Sequence, residues 1–346
     1  MKKIRVLIVE DSIVAAELLK NVFLGEGSFE VVGIVGNGQK AVDIVQTSKP
    51  DIVSMDINMP VMDGFEATRI IMETNPVPII IVSASWEPGE VEMTFKAMQA
   101  GALTVIQKPR GIGSPYFEKD ARNIHRLFKA LAEVKVVRRY ADRKHRSVSV
   151  SQNNQNNDQY QCVAIGVSTG GPTVLNTILK GLDKDFRLPI LIVQHIADGF
   201  IYGFVKWLRD NSGYNVQIAK NGDELCSGIA YMAPENMHLE VYNNRIKLTD
   251  GLPVRGNKPS VSNLFVSVGQ QFENKVIAVL LTGMGNDGSQ ELKELKEKGA
   301  LTIIQSEESS LIFGMPGEAR RINAECFELT PEQIAVHLNT INKKLK

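Results

Sequence analysis

Short, nearly uninterrupted apolar runs recur along this chain, and longer amphipathic stretches separate them. In the first part the runs are IRVLIV, EVVGIV, DIVSMD, PIIIVSA and LTVIQKP. Runs of that length, apolar on both faces, predict buried strands of a parallel sheet. The intervening DSIVAAELLKNVF places Val14, Leu18, Leu19, Val22 and Phe23 on one helical face, with Ser12 as N-cap. Strands alternating with helices predict a doubly wound sheet, whose carboxyl strand ends carry the ligand-binding loops.

The pattern then breaks. RRYADRKHRSVSVSQNNQNNDQY (138–160) is basic and then almost wholly polar. It cannot bury enough apolar surface to fold alone and reads as a linker. Its basic start is also a candidate continuation of the helical stretch RNIHRLFKALAEVKVV. From Cys162 a second series begins: CVAIGV, LPILIVQH, VQIAK, GIAYMAP, KVIAVLLTG and ALTIIQ read as strands. HLEVYNNRIKLTD predicts a hairpin turning at Asn243-Asn244, and the remaining stretches read as helices. The expected organisation is an α/β domain over 1–137, a linker over 138–160 and a second α/β domain over 161–346. Each domain is a doubly wound parallel sheet, the second of them Rossmann-like and three-layered.

Lysine plus arginine and aspartate plus glutamate each total 39. That balance supplies no general basic surface for nucleic acid, and no basic helix-turn-helix-like end is present. The three cysteines lie far apart without a CxxC spacing, which argues against a disulfide framework or a zinc site and fits a reducing cytosol. The opening MKKIRVLIVEDS has too short an apolar run for a secretory signal, and no segment reaches the length of a membrane helix. The expectation is a cytoplasmic monomer that neither binds nucleic acid nor inserts into a membrane.

Glu10 and Asp11 follow the first predicted strand and Asp56 the third. Where those strands are neighbours, the three carboxylates converge and repel unless a hard divalent cation such as Mg²⁺ neutralises them. Ser83 and Lys108 end the fourth and fifth strands, adding a hydroxyl and a fixed positive charge. Such a set suits a phosphoryl group carried on a carboxylate. Any one of these acids alone reads rather as a helix cap or a solvated loop residue. Taken with VEDS, MDINMPVMDG, VSA and QKP in that order, the segment resembles a response-regulator receiver domain of flavodoxin-like fold. The resemblance implies phosphorylation of Asp56 by a histidine kinase. It also implies Mg²⁺ held by Glu10, Asp11, Asp56 and the backbone carbonyl of Asn58, with Ser83 and Lys108 in the phosphoryl pocket. Val105 stands where many receivers carry Tyr or Phe as a rotameric switch.

In the second half, AIGVSTGGP contains the G-x-S-x-G pattern between a strand and a helix. Ser168 there reads as an exposed nucleophile, as part of an anion-binding turn, or as a helix cap. A serine nucleophile needs a base. His125, His145 and His337 read as surface or core residues; so, ahead of a rim or binding role, does His238 near the hairpin. His195 ends the strand next to the serine strand by connectivity. Asp287, on the Gly-rich turn of VIAVLLTGMGNDGSQ, can orient a histidine, cap the helix that follows or bind a cation. The order Ser, His, Asp differs from that of the α/β-hydrolases.

IGVSTGGP, VQH, YMAPENMHL, KPSVSNLF, LLTGMGNDG and IIQSEESSLIFGMPGEA together resemble the chemotaxis protein-glutamate methylesterase catalytic domain. The resemblance implies hydrolysis of γ-glutamyl methyl esters on chemoreceptors, and deamidation of receptor glutamines, by a triad of Ser168, His195 and Asp287. Thr169 and Met284 are implied around the oxyanion, and hydrolysis needs no cofactor. An unphosphorylated receiver covering the catalytic cleft is implied as the means of control. Ile196-Ala197 stands where the family often has Met-Pro, and QSEESS replaces a commoner Asp-Glu start; both touch the cleft rim. A receptor-binding scaffold without hydrolysis is the rival from another class, and an esterase for a different ester the nearer one.

Overall fold

The computed structural model describes residues 2–83, 88–134, 136 and 160–345. The chain separates into two compact units, Met1–His145 and Arg146–Lys346. The predicted linker, apart from Tyr160, and His145 lie outside the described residues.

The first unit runs β1 (Ile4–Val9), α1 (Ile13–Gly25), β2 (Phe29–Val35), α2 (Gly38–Ser48), β3 (Ile52–Met55), α3 (Gly64–Thr74), β4 (Ile79–Ser83), α4 (Pro88–Ala100), β5 (Thr104–Gln107) and α5 (Phe117–Ala132). Its parallel sheet has the order β2-β1-β3-β4-β5, so the strand order reverses between β1 and β3. The apolar runs fill the middle of the sheet: β3 and β4 are buried throughout. Ser12 caps α1, accepting the N–H of Ala15 at 3.4 Å.

Two local expectations change. The α1 stripe is Ala16, Leu19, Val22 and Phe23, while Val14 is 80% exposed. Taking Ala16 as origin, residues three and seven positions on share its face, and Val14 points almost opposite. α5 ends at Ala132, within the stretch RNIHRLFKALAEVKVV read as helical, and the basic segment considered as its continuation lies outside the described residues. Its buried stripe of Ala121, Ile124, Phe128 and Leu131 ends there too.

The second unit runs β6 (Cys162–Val167), α6 (Gly171–Gly181), β7 (Ile190–Gln194), α7 (Ile201–Ser212), β8 (Asn215–Ile218), β9 (Ile229–Met232), β10 (His238–Tyr242), β11 (Arg245–Thr249), α8 (Val261–Phe272), β12 (Val276–Leu280), α9 (Ser289–Glu297), β13 (Leu301–Gln305), α10 (Met315–Arg321), β14 (Phe327–Leu329) and α11 (Pro331–Asn342). Seven strands form one parallel sheet in the order β14-β13-β12-β6-β7-β9-β8. The hairpin β10–β11 is a separate antiparallel pair packed on α8, where Ser267 Oγ accepts the Val241 N–H at 3.1 Å. Helices α6, α7 and α11 group together, as do α8, α9 and α10, and the strands between them are buried.

β14 is a strand that the hydrophobic pattern does not announce. Its three residues, FEL, are too few to show a period, and pairing with β13 creates it. Among the described residues no helix is long and apolar enough to cross a membrane.

Candidate active site

In the first unit the carboxyl ends of β1, β3 and β5 bring three predicted groups together. Lys108 Nζ lies 2.7 Å from Glu10 Oε2 and 3.0 Å from Asp56 Oδ2. Glu10, Asp11 and Asp56 each offer a carboxylate oxygen within 4.8 Å of the others. Glu10 and Asp56 are buried while Asp11 is exposed. Burial pushes the Glu10 and Asp56 carboxyls above their ordinary range, although Lys108 opposes the shift. Desolvation works to lower the Lys108 ammonium, but its hydrogen bond to Glu10 and the charge of Asp56 win and raise it. A carboxylate pair that pays to be ionised, beside an exposed third acid, fits a hard divalent cation. Ser83 is buried at the end of β4, Asn58 is exposed two residues after Asp56, and Val105 is buried in β5.

In the second unit the sheet order reverses at β6, which is flanked by β7 and β12. That is where an open α/β sheet leaves a crevice at its carboxyl edge. Ser168 follows β6, His195 follows β7, and Asp287 lies on the loop after β12. The His195 N–H donates to the Val167 carbonyl at 3.0 Å, tying His195 to the serine strand. His195 Nε2 lies 2.9 Å from Asp287 Oδ2, which leaves Nδ1 as the ring nitrogen available to a serine. α6 is capped by Gly170, in the left-handed conformation at φ 85°, with no side-chain cap bond. Ser168 therefore does not serve as its cap, and its half-buried side chain is open to other work. Its N–H donates to the Thr282 carbonyl at 3.0 Å. A Cβ on Gly283 would sit 2.5 Å from Ser168 Cβ and 2.6 Å from Met315 Sδ, so only glycine lets the loop pass the serine.

Asp287 caps a helix other than the one that follows it in sequence. Its Oδ2 accepts the Val261 N–H at 2.8 Å and its Oδ1 the Ser262 N–H at 3.1 Å, at the first turn of α8. Ser260 Oγ also donates to Oδ1, at 2.9 Å. Burial works to raise this carboxyl, but His195, Ser262 and the Val261 N–H outweigh it and hold it at about 2. A carboxylate fixed at a helix N-terminus stays ionised even when 2% exposed.

Several supporting residues carry no role in the sequence reading. Gln194 Nε2 donates to the Ser168 carbonyl at 2.9 Å and to the His195 carbonyl at 2.8 Å, clamping the two segments together. Thr282 Oγ1 lies 3.0 Å from the Thr169 carbonyl and accepts the Ile312 N–H at 3.0 Å. Gln305 Oε1 accepts the Thr282 N–H at 2.9 Å. All sit inside motifs noted above, but nothing in one dimension shows whom they touch. His238 is fully buried, with Nε2 donating to the Leu252 carbonyl at 3.0 Å, which sets aside its rim or binding alternative. His125 lies 2.6 Å from the Val22 carbonyl, and burial lowers His337, as core residues would be expected to behave.

Comparison with known proteins identifies the family. The family model described as CheB methylesterase matches residues 163–338, and the response regulator receiver domain model matches residues 6–113. A Geobacter metallireducens protein-glutamate methylesterase/protein-glutamine glutaminase is 47% identical over 98% of this chain and 99% of its own length. The chain belongs to the CheB methylesterase family. A Syntrophus aciditrophicus protein of the same name is also 47% identical, over 96% of each chain. The crystal structure of the Thermotoga maritima CheB methylesterase catalytic domain covers 53% of this chain and 98% of its own. It matches at a TM-score of 0.50 and 31% identity. The chain is therefore a response regulator whose output unit is a carboxylic ester hydrolase.

Proposed function

We propose that this chain removes methyl esters from glutamate side chains of chemoreceptors, and deamidates receptor glutamines, by a Ser168–His195–Asp287 mechanism switched on by phosphorylation of Asp56. The observation that carries the proposal is the convergence of the three residues at one sheet edge, with His195 bonded to an ionised Asp287.

Ser168 Oγ attacks the ester carbonyl while His195 takes its proton. Asp287 holds the imidazole by Nε2 and stabilises the imidazolium. On the family resemblance, Thr169 and Met284 are assigned to the oxyanion. Each oxyanion donor is worth about 3 kcal/mol in the transition state. His195 returns the proton to methanol, and a water activated by the same ring releases the glutamate. The route uses protein groups and water alone.

In the first unit Glu10, Asp11, Asp56 and the Asn58 carbonyl would hold Mg²⁺, with Ser83 and Lys108 lining the phosphoryl pocket. The cation supplies charge neutralisation for the phosphoryl group on Asp56. Lys108 already spans Glu10 and Asp56, so a phosphoryl oxygen gains its ammonium without a long side-chain movement. The phosphodonor is a histidine kinase, and the protein works as a cytoplasmic monomer.

The test is methanol release from methylated receptor fragments, with and without a small phosphodonor. Ser168→Ala is expected to lower the rate by ~10³-fold or more while Asp56 still takes up phosphate. Release at the parental rate from Ser168→Ala would remove the serine from the mechanism.

A further inference from the structure

One hydroxyl behind the triad faces two carboxylates. Ser262 Oγ lies 2.7 Å from Asp287 Oδ1 and 2.8 Å from Glu291 Oε2. It accepts the Gly288 N–H at 3.1 Å. A serine hydroxyl has a single proton, so it donates to only one of the two carboxylates at a time. Ser262 is 3% exposed, so water does not replace the missing donor freely. Glu291 is held from its other oxygen: Arg255 Nη2 donates to Oε1 at 3.1 Å, and Arg255 Nη1 donates to the Asn286 carbonyl at 3.3 Å. The charged groups around this point are His195 from the end of β7, Glu291 from α9 and Arg255 from the turn before α8. Glu318 of α10 lies within the field of Arg255.

We propose that the Ser262 hydroxyl is a two-position donor that couples Glu291 to the triad, making Ser262 and Glu291 positioning residues for the hydrolysis. While the His195 ring is neutral, the hydroxyl proton rests on Asp287 Oδ1, the nearer of the two carboxylates. When His195 takes the serine proton, the imidazolium draws electron density toward Oδ2. Oδ1 becomes the poorer acceptor, and the hydroxyl swings to Glu291. No covalent bond changes; a hydrogen bond moves from one carboxylate to the other. The Glu291–Arg255 pair thus sets how firmly Asp287 holds the imidazolium. This inference rests on the triad reading above.

The sign of each variant follows. Glu291→Gln offers Ser262 a neutral, weaker acceptor, so the hydroxyl stays on Asp287 and the imidazolium is held less firmly. The acidic limb of the kcat/KM profile should move down by about half a pH unit, with kcat at neutral pH falling severalfold. Ser262→Ala removes the competing donor from Asp287 and should move the limb up. A plain charge effect of Glu291 would act whether or not the hydroxyl is present. The deciding experiment is therefore the double-mutant cycle in the full-length protein with phosphodonor. The readouts are methanol release across pH and the titration of the histidine ring followed by NMR. A Glu291→Gln shift that disappears in the Ser262→Ala background supports the relay. An equal shift in both backgrounds, or no shift in either, overturns it. Ring titration reads the relay without turnover, so absent methanol release with the cycle intact would count against the substrate reading alone.

Discussion

Asp287 shows how a single residue is tuned by atoms far from it in sequence. Its carboxyl sits at about 2 because donors from α8 and His195 overcome burial. A depressed carboxyl contributes stability that is complete above the unfolded value, near 4, and is lost as pH falls through the folded value. The contribution is about 2 kcal/mol at neutral pH. Asp287→Asn should therefore be less stable than the parent at pH 7, with the difference narrowing between pH 4 and 2 in urea melts. The first unit behaves in the opposite sense. The Glu10 and Asp56 carboxyls are raised, so their ionisation opposes folding above the raised values, and that cost eases as pH falls through them. A bound divalent cation offsets the same cost at neutral pH. Millimolar Mg²⁺ is expected to raise the melting temperature of the first unit, and Asp56→Asn to remove most of the rise. An unchanged Mg²⁺ response in Asp56→Asn would exclude Asp56 as a ligand.

At the scale of elements, strand ends place the candidate site residues and a side-chain amide locks them. β6 and β7 are in register from Val163–Ile190 to Val167–Gln194, so Ser168 and His195 emerge side by side. Gln194 then bonds both of their carbonyls from a buried position. A Cβ on Gly171 would meet Gln194 Oε1 at 2.0 Å, so this amide and the first turn of α6 fit only together. Gln194→Glu sets carboxylate oxygens against two carbonyl oxygens and should cost about 2 kcal/mol or more in a urea titration, with slower methanol release. Gln194→Met, which lacks the repulsion, should cost less. Equal losses for the two variants would mean that the clamp is packing alone.

The whole molecule joins two sheets of the same class, each with its chemistry at the carboxyl edge where strand order reverses. Their cores are separate, and the catalytic unit carries its own buried cluster from Cys162 to Ala324. Fragment 150–346 is thus expected to fold alone and, on the family resemblance, to release methanol faster than the unphosphorylated full-length protein. Equal rates at saturating substrate would argue against restraint by the receiver.

Sequence alone was enough to place the strands, because a strand buried on both faces must be apolar throughout, and β6 coincides with the CVAIGV run. It was enough to single out Ser168, His195, Asp287, Glu10, Asp56 and Lys108, because strand-end polar residues stand out against such runs. It misplaces Val14 and does not announce β14, because burial and pairing there depend on neighbours distant in the chain. Only the tertiary structure decided that Asp287 caps α8, which begins 26 residues before it, and that Gln194 and Ser262 brace the site. A hydrogen bond between segments has no period and no propensity, so no pattern along the chain records it.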